Sequence, residues 1–454
     1  MHNLIDQLET VMPTALTGSV VRTVGMTAAV AGFPAPVGAL VQIERQAGRP
    51  ISAEVVGFRD DLTLVYPFSS LAGIRHGNQV RLCRTSRCLH LGEPLLGRVI
   101  DAHGRCIDGR PQPVLTHRCG MQRQPPPAVQ RPTIDTPLAT GIRAIDGLLT
   151  CGRGQRMGIF SGSGIGKSIV LGMMARYTSA DVIVIALIGE RGREVNEFVQ
   201  RELGPAGLAK SVVVVATGDQ PALLRVQSAL TATSVAEYFR DRGKDVLLLM
   251  DSLTRFAMAQ REIGLATGEP PTTRGYPPSV FALLPQLVER AGRNPHGSIT
   301  AFYSVLVEGD DTSEPISDSV RGLLDGHTVM SRKLANKGHY PAIDVLESIS
   351  RLMPDIVDRE QRDASTSVRQ LLAAYQEHED LISIGAYRQG SNPTVDQAIA
   401  MKDEIDSYLQ QRIEEPSTLQ SSSESLLQLA RRRAALKSTA AGPPAAAAGG
   451  PANQ

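Results

Sequence analysis

The sequence predicts an α/β protein with three folded parts: an N-terminal β-barrel, a central core on a mostly parallel sheet, and a C-terminal helical domain. Three observations carry this. Short β-rich runs broken by Gly, Pro and Asp fill the first stretch of the chain. Long apolar runs alternating with helical segments fill the middle, and helical segments without strands fill the end. A chain of 454 residues has the length for about three domains.

Taken in order, residues 1–17 open with Leu4, Ile5, Leu8, Val11 and Met12 at helical spacing, ahead of Pro13. This single apolar face either packs on its own domain or docks on a partner. Its terminal place favours the partner. Asp6 and Glu9, with no basic stretch, argue against a secretory signal. Residues 18–92 hold the runs Gly18–Val24, Gly38–Ile43, Ala53–Gly57, Leu62–Tyr66 and Gln79–Leu82, a spacing that predicts a small barrel. Gln122–Pro132 (QRQPPPAVQRP) reads as an extended connection. In the core, taken as 93–355, MGIF, VIVIALI, SVVVVAT and DVLLLMD are continuously apolar, as strands covered on both faces should be. Residues 356–434 read as helices punctuated by Gly385, Gly390 and Pro393. The Ala/Gly/Pro-rich end, 435–454, is expected to be disordered.

Composition narrows the function. A formal charge of +1 gives no global field for nucleic acid or an anionic membrane. The longest clean apolar run, Val182–Ile188, is too short to cross a bilayer. The five cysteines form no C-x-x-C pair and are read as free thiols. Trp is absent, which disfavours stacking platforms for single strands.

The chemistry starts at SGSGIGKS, residues 161–168. It matches the phosphate loop G-x-x-x-x-G-K-[ST] except that Ser161 stands at the first glycine. A strand precedes it and a helix, Lys167–Tyr177, follows. Gly162, Gly164 and Gly166 let the backbone N–H groups approach phosphates, with Ser163 and Ile165 between them, and the helix N-terminus adds its dipole. Lys167 is placed to reach the β/γ-phosphates of ATP and Ser168 to offer its hydroxyl to Mg²⁺. DVLLLMD ends in Asp251 at the sheet's carboxyl edge, where it either supports the metal shell or caps the next helix. VIVIALI delivers Glu190 to the same edge. There it either orients the attacking water or pairs with Arg191 or Arg193.

Residues 152–195, 250–292 (MDSLTRFAMAQREIGLATGEPPTTRGYPPSVFALLPQLVERAG), 298–332 and 338–351 (GHYPAIDVLESISR) closely resemble the flagellar and type III secretion ATPases. These are relatives of the catalytic subunit of rotary ATP synthases. The resemblance spans roughly residues 18–415, and within the family a small residue such as Ser161 is ordinary at that position. It implies a RecA-like ATPase core in a homohexamer that couples ATP hydrolysis to unfolding and loading of export substrates. It also implies a stator-like regulator at the N-terminal segment, a central stalk protein, an export gate and substrate–chaperone complexes. The expected place is the cytoplasmic face of the inner membrane, peripheral to it. By motif, Lys167 and Ser168 bind phosphate and Mg²⁺, Glu190 positions water, Asp251 supports the metal, Tyr340 flanks adenine, and Arg351 is an arginine finger acting on the neighbouring subunit. IERQ (43–46) and SIGAYRQGSNPTVDQAI (383–399) favour the flagellar over the injectisome branch. The EGDD…EP segment and GYPPSVF argue against a rotary pump subunit. The few scattered barrel aromatics argue against an RNA-translocating hexamer, and Glu190 argues against a non-catalytic subunit.

Overall fold

The computed structural model describes residues 16–307 and 314–440. The amphipathic face read over residues 1–12 lies outside them.

Six antiparallel strands close the barrel: β1 Thr17–Val24, β2 Thr27–Ala31, β3 Leu40–Ile43, β4 Ile51–Arg59, β5 Leu62–Pro67 and β6 Gln79–Arg84, in the order β1-β2-β5-β4-β3-β6. Closure removes the exposed strand edges. Val20, Ala28, Val30, Val41, Ile43, Val55, Val65 and Val80 fill the interior. The β4–β5 hairpin turns on Asp60 and Asp61, both at positive φ, a pairing suited to a two-residue turn between twisted strands. The structure corrects the barrel's bounds at both ends. β1 already includes Thr17, and Cys88–Leu91, expected within the barrel, instead pairs with His117–Gly120.

The core sheet runs Ile343–Ser350, Gly326–Met330, Arg156–Ser161, Ser298–Leu306, Asp245–Asp251, Val182–Ile188, Ser211–Ala216 and Arg98–Ile100. All neighbours along this path are parallel except the first pair. The helices Lys167–Tyr177, Ala222–Arg240 and Leu253–Thr267 take part in the two large apolar clusters that cover it. Parallel strands all end at one edge. So the chain returns there repeatedly, and the chemistry collects there.

Three helices, Arg359–Ser383, Pro393–Leu409 and Leu419–Ala440, form the C-terminal domain and pack on the short core helix Arg143–Leu148. Asp358 and Asn392 cap the first two by accepting from Gln361 N and Thr394 N. Gly385 and Gly390 turn between them at positive φ. The last helix corrects the expectation of disorder from residue 435, because it continues to Ala440. Leu426, Leu429 and Arg433 are buried along it. The residues that follow, through Ala440, include good helix formers, and the first strong breakers come only at Gly442–Pro444. No helix among the described residues is long and apolar enough to cross a membrane.

Candidate active site

The strand Arg156–Ser161 is hydrogen-bonded on both sides, so it carries the loop Gly162–Gly166 out of a rigid frame. Ser161 belongs to the strand. Its side chain is buried. Gly164 and Gly166 have φ of 77° and 96°, a region that only glycine enters cheaply. A Cβ on Gly164 would meet nothing within 4 Å, so this part of the loop faces open space. Ser163 is exposed beside it, and Ile165 turns inward and is buried. Gly166 begins the helix Lys167–Tyr177 with no side-chain cap. The first-turn N–H groups thus stay available to an anion.

Lys167 Nζ pairs with Asp251 Oδ1. Ser304 donates its hydroxyl to the same oxygen at 2.6 Å. Asp251 is 3% exposed, and Ser252, not Asp251, caps the helix Leu253–Thr267 by accepting from Arg255 N. Ser168 is exposed on the first turn of its helix. No cluster of three or more His, Cys, Asp or Glu suited to a metal occurs among the described residues. One carboxylate and one hydroxyl are too few for a protein-only cage, but they fit Mg²⁺, which is commonly held by one or two carboxylates, waters and the substrate's phosphates.

Glu190 follows Gly189, at φ 71°, at the end of Val182–Ile188. Burial and the nearby Asp251 carboxylate push its carboxyl up to about 7, against the pull of Lys167. The arginines that could have neutralised it pair elsewhere: Arg191 with Glu194 and Arg193 with Glu197. Lys167, Asp251 and Glu190 are thus brought together at one edge.

Tyr340 is half exposed. Its ring edge would lie 3.8 Å from a Cβ on Gly166, so it flanks the loop. It borders a cleft of about 980 Å³ lined also by Ile165, Ile169 and Gln410. The far wall, Gln410–Glu415, is fastened to the core. Gln411 N donates to Tyr340 O, and its side chain accepts from Arg143 N and donates to Gly141 O.

Arg351 is not brought to this site. It follows the antiparallel strand Ile343–Ser350, and its N–H bonds Asp325 O, level with Arg156 at the start of the loop strand. Six residues of strand at about 3.3 Å each separate it from the loop by about 20 Å. The side chain is exposed there.

Three site features escaped the sequence reading. They are Ser304, the Gln410–Glu415 wall and Arg255, whose stem would meet a Cβ on Gly189 at 3.1 Å and whose Nε is buried without a partner. Arg255 has a local signal in SLTRF, one turn past Asp251. The other two depend on contacts distant in sequence.

A loop-bearing strand, a carboxylate-ended strand and a third strand that delivers Glu190 define a phosphate-loop nucleotide-binding domain. Residues 141–350 match the ATP synthase alpha/beta family nucleotide-binding domain, and residues 357–428 match the T3SS EscN ATPase C-terminal domain. The chain is 50% identical over 430 residues to the flagellum-specific ATP synthase of Bacillus subtilis, covering 94% of this chain and 98% of that one. It is also 50% identical over 410 residues to the type 3 secretion system ATPase of Xanthomonas euvesicatoria, covering 90% and 93%. The assembled ATPase EscN of enteropathogenic E. coli superposes with a TM-score of 0.87 at 45% identity, covering 91% of this chain and 99% of EscN. EscN in complex with its central stalk EscO superposes with a TM-score of 0.84. The chain therefore belongs to the ATP synthase alpha/beta family, in its branch of flagellar and type 3 secretion ATPases.

Proposed function

We propose that the chain hydrolyses ATP as the motor subunit of a type III protein export apparatus, acting as a homohexamer at the cytoplasmic face of the inner membrane. The observation that carries the catalytic part is Glu190: a partly buried carboxylate close enough to Asp251 and Lys167 to feel their charges, with Arg191 and Arg193 paired elsewhere. Backbone N–H groups from Gly162 to Ser168 receive the phosphates, and Tyr340 lies against the adenine. Lys167 exchanges Asp251 for the β/γ-phosphates. Ser168 and Asp251 would hold Mg²⁺, which would supply charge neutralisation at the phosphates. Glu190 orients the attacking water. Arg351 completes the site of the next subunit.

Mg²⁺-dependent ATP turnover, measured with and without single-stranded RNA, tests this. Turnover indifferent to RNA is expected. Turnover that requires RNA would instead indicate a nucleic-acid translocase, and none with ATP would indicate a non-catalytic subunit. The flagellar branch is favoured by IERQ (43–46) and SIGAYRQGSNPTVDQAI (383–399). The injectisome is the second reading, supported by the equal identity to relatives of both kinds. Loss of motility on deletion separates the flagellar role from a secretion defect.

The partners proposed are a central stalk, as EscN has in EscO, a stator-like regulator at the N-terminal segment, the export gate, and substrates with their chaperones. Deleting residues 1–12 should leave turnover intact and abolish recovery of the regulator in a pull-down. An apolar helix face of this kind suits a partner's groove. Equal recovery by full-length and truncated chains would reject the docking role.

A further inference from the structure

The strand Ser298–Leu306 lies between the phosphate-loop strand and the strand ending in Asp251. Its Ser304 is level with Ile159 on one side and lies one step past the Met250–Tyr303 pair on the other. Ser304 is wholly buried, on the opposite face of the strand from its equally buried neighbours Tyr303 and Val305. Most buried hydroxyls have a hydrogen-bond partner. Here the acceptor is Asp251 Oδ1 at 2.6 Å, while Lys167 Nζ lies 3.5 Å from the serine oxygen. A hydroxyl has one proton and two lone pairs, so it can donate to the carboxylate and still turn a lone pair to the ammonium.

Asp251 Oδ1 therefore has two partners, Lys167 and Ser304. In the reading above, nucleotide binding takes Lys167 away. We propose that Ser304 is a positioning residue that holds the Asp251 carboxylate in place through this exchange and keeps its second oxygen turned towards Mg²⁺. The inference rests on the roles proposed for Lys167 and Asp251. Ser304 touches neither phosphate nor metal and acts only through Asp251. Outer-shell hydrogen bonds of this kind commonly change metal affinity by about 10–100-fold when removed.

The test is Mg²⁺-dependent binding of a fluorescent ATP analogue, with no turnover needed. Ser304→Thr keeps the hydroxyl, while Ser304→Val has the same size without it. Ser304→Ala removes the hydroxyl with no added bulk. Expected are Mg²⁺ midpoints raised about 10–100-fold for Val and Ala, a native midpoint for Thr, and native analogue affinity in EDTA for all three. The inference is overturned if Thr and Ala share one midpoint, or if Ala weakens binding equally in Mg²⁺ and EDTA, the mark of a merely structural role. Failure of the native protein itself to bind the analogue would instead overturn the nucleotide reading, and this inference with it.

Discussion

Arg351→Ala is expected to bind ATP and assemble normally, yet turn over ATP roughly 10³–10⁵-fold more slowly, the usual worth of an arginine finger. That loss corresponds to about 4–7 kcal/mol of transition-state stabilisation. In its own chain Arg351 stands at the strand-start edge beside Asp325, while the phosphate loop stands at the strand-end edge. The span exceeds the reach of any side chain. Exposed where it is, the guanidinium is free to enter a neighbour's site. Native turnover should therefore rise more steeply than linearly with protein concentration through the range where rings form. If Arg351 were only a surface arginine, the alanine variant would be as active as the native protein.

Glu190→Gln is expected to keep ATP binding and lose turnover by roughly 10²–10⁴, the contribution of a positioned acid–base group. The amide keeps the shape but cannot accept the water's proton. Lys167→Ala should show the opposite split, weakening ATP binding itself by removing the charge that meets the phosphates. The pH profile gives a second readout. In the proposed role Glu190 acts as the ionised carboxylate, and burial beside Asp251 pushes its carboxyl up to about 7. A raised value keeps the inactive, protonated form populated up to neutrality. So kcat/KM should climb as pH rises through about 7, and the residual activity of Glu190→Gln should lack that limb. Near-native turnover by Glu190→Gln would return Glu190 to a structural role.

How much of this was legible in the sequence depended on where each partner lies along the chain. The phosphate loop is contiguous, so its glycines, Lys167 and Ser168 could be read directly. Asp251 and Glu190 were legible because Asp251 ends the apolar run Asp245–Asp251, buried from Val246 onward, and Glu190 stands two residues past the fully buried run Val182–Ile188. Other strands gave weaker signals. Thr27–Ala31 is made of small residues, Arg98–Ile100 is only three residues long, and Ile343–Ser350 is an edge strand of mixed burial. Helical order at 435–440 was masked by an Ala/Gly/Pro composition whose breakers come later. The choice between a catalytic and an ion-paired Glu190 could not be read from GERGREV. The structure bears only on the ion-pair alternative, because Arg191 and Arg193 reach forward to Glu194 and Glu197. Ser304 and the Gln410–Glu415 wall were invisible because they join the site only through the sheet order and the docked C-terminal helices.

A site shared between subunits is tested most directly by mixing Glu190→Gln with Arg351→Ala protein and measuring ATP turnover. Each variant alone is nearly inactive. In mixed rings some interfaces pair an intact Glu190 with an intact Arg351 from the neighbour, so turnover should reappear and pass through a maximum as the mixing ratio is varied. No recovery at any ratio, in rings shown to contain both subunits, would contradict the shared site and assign both residues to one chain.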